Sequence, residues 1–133
     1  MKVSQVYKDK KDKKVLSFEI FPPKKDSELN NIDETLAVLC ELEPDYISVT
    51  FGAGGSSNCN RTIELAKKIK HEYHVEPVVH LTSLHYNKAE IDEFAKVLSE
   101  AGLENVLALR GDKNPNFPEK NDFSHASDLI AYM

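Results

Sequence analysis

The sequence predicts an α/β fold of four successive βα units around a parallel sheet, about the first half of a (β/α)8 barrel. Three observations predict it. Short apolar runs alternate with stretches of helical periodicity, a pattern that calls for parallel strands joined by right-handed crossovers. The expected strands each pair an apolar face with a more polar one, as when one face packs on helices and the other looks into a barrel or cleft. Glu19, Thr50, His80 and Arg110 recur at steps of about thirty residues, the length of one βα unit, which puts one polar side chain near the end of each strand on a common rim.

The first strand is Ser17-Phe18-Glu19-Ile20-Phe21, ended by Pro22 and Pro23, which cannot donate to a sheet ladder. Alternation sets Ser17, Glu19 and Phe21 on one face, and Leu16, Phe18 and Ile20 on the greasier one. An ionised Glu among Phe18, Ile20 and Phe21 loses hydration on folding, so Glu19 requires a partner, a raised pKa or a function. Its place at the carboxyl end of a strand is where α/β folds carry their chemistry.

Ser27 is positioned to cap a helix with apolar residues at Leu29, Ile32, Leu36, Leu39 and Cys40, stopped by Pro44. Asp45–Thr50 reads as the second strand, with Ile47 and Val49 on one face and Tyr46, Ser48 and Thr50 on the other. Phe51 and the glycine loop Gly52-Ala53-Gly54-Gly55 lead into a helix carrying Ile63, Leu65, Ala66 and Ile69. The third strand is Glu76–Thr82, with Val78, His80 and Thr82 opposite Val79 and Leu81. Asn87 and Glu90 form a capping box for a helix with Ile91, Phe94, Ala95, Val97 and Leu98, closed by Gly102. Asn105–Arg110 is the fourth strand and Gly111–Pro118 its loop; Ser124 caps a last helix from Ala126, whose early stop suggests a truncated chain. Residues 1–14 read as a charged, solvated and frayed lead-in, and 15–133 as the half-barrel.

Composition narrows the function. A chain of 133 residues with net charge −5 and no basic stripe argues against a nucleic-acid partner, because phosphate binding needs clustered Lys and Arg. The N-terminus has no apolar signal core and no run reaches the length of a membrane span, so a cytoplasmic location without membrane contact is expected. Cys40 and Cys59 form no CxxC pair, and no metal site is expected. Singly, the polar residues have plain readings. Glu19 could pair with Arg110, His80 could be a core histidine, and Thr50 a β-former. Convergence of all four on one rim favours a site.

Together, Ser17-Phe18-Glu19-Ile20-Phe21-Pro22-Pro23-Lys24, Ser48–Ser56, His80-Leu81-Thr82 and Ala108-Leu109-Arg110-Gly111-Asp112 resemble the methylenetetrahydrofolate reductases, from about Val15 to the end. The resemblance implies a (β/α)8 TIM barrel that binds FAD and uses NADH or NADPH to reduce 5,10-methylenetetrahydrofolate to 5-methyltetrahydrofolate, as a homo-oligomer in full-length form. It implies that Glu19 is the general acid that opens the folate's bridging ring. It implies that Asp112 faces both flavin and folate. Thr50, Phe51, Ala53, His80, Arg110, Gly111, His125 and Ala126 match flavin-side positions, with Phe51 and His125 standing where many members carry Tyr. Two other readings stay open: a non-catalytic half-barrel that assembles through its free strand edges, and a small α/β domain binding another phosphate ligand.

Overall fold

A computed structural model describes residues 1–23, 29–51 and 56–133, with backbone only at 29, 30 and 56–59. Ser27, the glycine loop with Ala53, and Lys24 lie outside the described residues. The element order is α1 (Val3–Asp9), β1 (Ser17–Ile20), α2 (Leu29–Cys40), β2 (Tyr46–Val49), α3 (Ser56–His71), β3 (Glu76–Thr82), α4 (Lys88–Glu100), β4 (Val106–Leu109) and α5 (Ala126–Tyr132). The four strands form one sheet in the order β1-β2-β3-β4, and every neighbouring pair is parallel.

Side-chain alternation sorts the sheet into two unlike faces. Ile20, Ile47, Val49, Val79 and Leu81 are buried and join Leu36, Ile63, Ala66, Ile69, Ile91, Phe94, Leu98 and Leu129 from the helices in one continuous core. Helix α3 lies against β2 and β3, and α5 against β4. On the other face Ser17, Glu19 and Leu107 are exposed and Tyr46, Ser48 and Val78 half-buried, so among the described residues helices cover one side of the sheet. An open trough of about 750 Å³ runs along this second face, lined by Ser17, Glu19, Ser48, Val78 and Leu107 and reaching down to Val3 and Asn105.

The helix ends follow local chemistry. Asn87 Oδ1 accepts from the Glu90 amide while a Glu90 carboxylate oxygen accepts from the Asn87 amide, the expected capping box. Gly102, at φ +69°, closes α4 in a Schellman motif: its amide donates to Ser99 O and that of Leu103 to Leu98 O.

Three expectations need correction. The lead-in is not frayed through its length, because Val3–Asp9 is helical and seats Val6 at 5% exposure. Asn105 Oδ1 accepts from the Val3 amide, the Tyr7 and Tyr46 hydroxyls lie 3.1 Å apart, and Lys10 pairs with Asp45, so α1 crosses the amino-terminal edge of the strands. The residue capping α5 is His125, not Ser124; Asp128 accepts from both of their amides and orders the turn. The four-residue rim is also less regular than equal spacing suggests. Ser48 is level with Glu19, Leu107 is level with His80, and Arg110 lies beyond the last residue of β4.

Candidate active site

Parallel strands bring every carboxyl end to one edge of the sheet, and Glu19 and Asp112 both belong to that edge. Glu19 is on β1 and Asp112 is in the loop after β4, and these two outermost strands lie three inter-strand steps or roughly 14 Å apart along a flat sheet. A ligand, rather than a direct bond, is therefore what could link them.

Two side chains expected at the site, Glu19 and His80, meet at this edge. His80 Nε2 lies 3.5 Å from Glu19 Oε2, across the intervening β2. The imidazole is buried at 8% side-chain exposure, whereas the carboxylate is 52% exposed. Burial pushes the His80 pKa below its ordinary 6.5, with the Glu19 charge opposing in part, so the ring is neutral at pH 7. Its Nε2 is sealed from solvent and lacks a hydrogen-bond partner, which marks a polar atom the described chain leaves unsatisfied. The apolar enclosure expected around Glu19 is absent among the described residues: Phe21 is 70% exposed, and Phe18 and Ile20 pack toward the helices. Nor does Glu19 meet Arg110, whose Nε donates instead to Gly111 O.

The remaining expected residues distribute unevenly. Thr50 is half-buried just past β2; its amide donates to Ile20 O and its carbonyl accepts from buried Thr62 Oγ1, which fixes the strand end to α3. The Phe51 ring turns to the helix side, edge-on to Tyr86 and Phe94 at centroid distances of 5.8 and 5.6 Å. Gly111 has φ +86°, and a Cβ there would sit 3.0 Å from Thr82 Cβ, so the turn after β4 requires glycine. Asp112 is exposed, and its carbonyl accepts from His85 Nε2 at 2.9 Å. His125 is 76% exposed at the start of α5, with Ala126 half-buried behind it. Sequence reasoning passed over His85, whose signal was only its place three residues after Thr82.

Comparison with known proteins decides the family. The family model "Methylenetetrahydrofolate reductase" matches residues 2–133. The chain belongs to the methylenetetrahydrofolate reductase family. A "Probable methylenetetrahydrofolate reductase (NADH)" of Oryza sativa subsp. japonica is 35% identical over 90% of this chain and 20% of its own length. The "5,10-methylenetetrahydrofolate reductase" of Pectobacterium carotovorum subsp. carotovorum is 33% identical over 89% of the chain and 39% of its own length. That of Escherichia coli (strain K12) is 31% identical, with the same shares. The chain thus spans between one fifth and two fifths of the length of these relatives.

His80 gives a test of fit for a flavin. A neutral ring with one unsatisfied buried nitrogen suits a polar edge of an uncharged heterocycle better than a phosphate, provided Glu19 swings aside to uncover it. Among the described residues no cluster of His, Cys, Asp or Glu could hold a metal ion, and no helix is long and apolar enough to cross a membrane.

Proposed function

We propose that this chain forms the first half of a (β/α)8 barrel that reduces 5,10-methylenetetrahydrofolate to 5-methyltetrahydrofolate with FAD and NADH or NADPH. The observation that carries this reading is the Glu19–His80 pair at the carboxyl edge of a family member's sheet. Bound FAD supplies the hydride relay between nicotinamide and folate.

Glu19 holds a proton and delivers it to the bridging ring of the folate, opening it to an iminium that accepts hydride. Glu19 is half-exposed in this chain, and in this reading the rest of the barrel covers it and excludes water from the proton transfer. His80 offers its ring nitrogen to the flavin. Thr50, Phe51, Ala53, Arg110, Gly111, His125 and Ala126 shape the flavin side, with Phe51 acting through its backbone because its ring is committed to Tyr86 and Phe94. Asp112 holds negative charge between flavin and folate.

The trough on the open face agrees with this assignment. Interiors of (β/α)8 barrels are packed with side chains, so the part of this space toward Val3, Ser17 and Asn105 is one for side chains of the remaining strands, while its end at Glu19 is left to the ligand in this reading. The free edges of β1 and β4 are the seams at which those strands join. A cytoplasmic homo-oligomer is part of the same reading.

The test uses the full-length protein. Purified protein should be yellow, with the absorption bands of oxidised flavin, and should oxidise NADH or NADPH in a manner dependent on 5,10-methylenetetrahydrofolate. Colourless protein that gains no flavin on incubation and binds a different phosphate ligand would overturn the reading.

A further inference from the structure

The loop that carries Asp112 is tied to the end of β3 by a side chain that the family resemblance does not mark. Its two ends are set by backbone bonds: Leu84 N donates to Arg110 O at 2.9 Å, and Lys120 N donates to Leu84 O at 2.9 Å. Between those anchors, residues 111–119 have one isolated bridge, Asn114 to Phe117, and no regular element. His85 reaches into this span from the β3–α4 connection. Its Nε2 lies 2.9 Å from Asp112 O, its Nδ1 lies 3.3 Å from Pro118 O, and its ring meets Phe117 edge-on with centroids 6.4 Å apart.

Both acceptors are carbonyl oxygens, so both ring nitrogens must donate for the two bonds to coexist. A neutral imidazole has one N–H and holds one arm of the loop; the imidazolium holds both. The Lys and Arg side chains of this loop and of the start of α4 have other engagements. Lys113 pairs with Glu119, Lys120 with Glu90, Arg110 with Gly111 O, and Lys88 lies over the Tyr132 ring. The main chain is what His85 holds, and the carbonyl it holds belongs to Asp112.

We propose that His85 is a positioning residue that aims the Asp112 carboxylate by donating from Nε2 to the Asp112 carbonyl, which ties that backbone to the β3–α4 connection. The proposal rests on the reductase reading for the role of Asp112, but the tie itself does not. Without the imidazole, the loop keeps its end anchors and loses the contact nearest the functional side chain.

The experiment compares His85→Ala, His85→Gln and unaltered full-length protein by hydrogen exchange of the peptide covering 111–118 and by the rates of the two half-reactions. His85→Ala should speed exchange in that peptide several-fold, up to about tenfold, the size expected for one lost net hydrogen bond. It should slow folate reduction by a similar factor while flavin reduction by NADH or NADPH keeps its rate. His85→Gln, which retains two N–H donors, should recover part of both losses. Unchanged exchange in the His85→Ala protein would overturn the proposal, and so would faster exchange with an unaltered folate rate. If unaltered protein reduces no folate, the reductase reading fails, while the exchange comparison still decides whether His85 holds the loop.

Discussion

His80 Nε2 lies 3.5 Å from Glu19 Oε2, although β2 stands between the strands that carry them. On β2 between them, Ser48 is level with Glu19 and its hydroxyl donates to Phe18 O. One partner is buried and neutral and the other half-exposed, so the pair is asymmetric. Glu19 acts on His80 mainly through its charge, which raises the histidine pKa against the larger effect of burial. In the 133-residue chain, where Glu19 is half-exposed and its charge faces the ring, Glu19→Gln should therefore lower the His80 pKa further, as read from its ring resonances in an NMR pH titration. An unchanged or higher value would show that the charge does not reach the ring.

The same depressed pKa predicts an acid-side loss of stability. In the unfolded chain His80 takes up its proton near 6.5, whereas the folded chain resists it to lower pH. Its contribution is thus complete above pH 6.5 and declines as pH falls from there toward the folded pKa. Asp45, Glu90, Glu104 and Asp128 have lowered pKa values and lose their contributions only below about 4.5, the ordinary carboxylate range. Urea unfolding between pH 7 and 5 should show the decline, and His80→Gln should flatten it. A flat profile in the unaltered protein would contradict the assignment.

Two glycines with positive φ should respond unequally to alanine. Gly102 has open space around it, so Gly102→Ala meets only the backbone penalty, about 1 kcal/mol. At Gly111 the added methyl also meets Thr82 Cβ at 3.0 Å, which raises the expected cost to about 2–3 kcal/mol. Denaturant midpoints of the two variants test the ordering, and equal losses would mean that the loop yields freely at Gly111.

Helix α1 should contribute to stability rather than trail in solvent. Val6→Ala removes two buried methyl groups and should cost about 2 kcal/mol, while Tyr7→Phe removes an exposed hydroxyl contact and should stay within about 0.5 kcal/mol. Thermal unfolding of both variants checks this. A neutral Val6→Ala would show α1 to be loosely attached.

Much of this architecture was legible in the residues themselves. Glu76–Thr82 could be read to its ends because Pro77 and the alternation of Val79 and Leu81 with His80 leave few other solutions, and Asn87 with Glu90 announced the start of α4. Lateral offset was not legible. Equal spacing of Glu19, Thr50, His80 and Arg110 counts residues along the chain, but the register that levels Leu107 with His80 depends on pairing between strands. Helix α1 was hidden because its attachment comes from Asn105, Tyr46 and Asp45, distant in sequence, while its own composition is mostly charged. The exposure of Glu19 was misread for a related reason: neighbours along a strand predict its faces, not what covers them.

The central claim is that Glu19 serves the folate half of the reaction alone, and single-turnover kinetics of the Glu19→Gln full-length protein test it most directly. The account predicts that NADH or NADPH still bleaches the flavin at close to the unaltered rate, while transfer to 5,10-methylenetetrahydrofolate falls by about a thousandfold, the middle of the usual range for a lost general acid. Equal loss of both half-reactions, or retention of both, would contradict it.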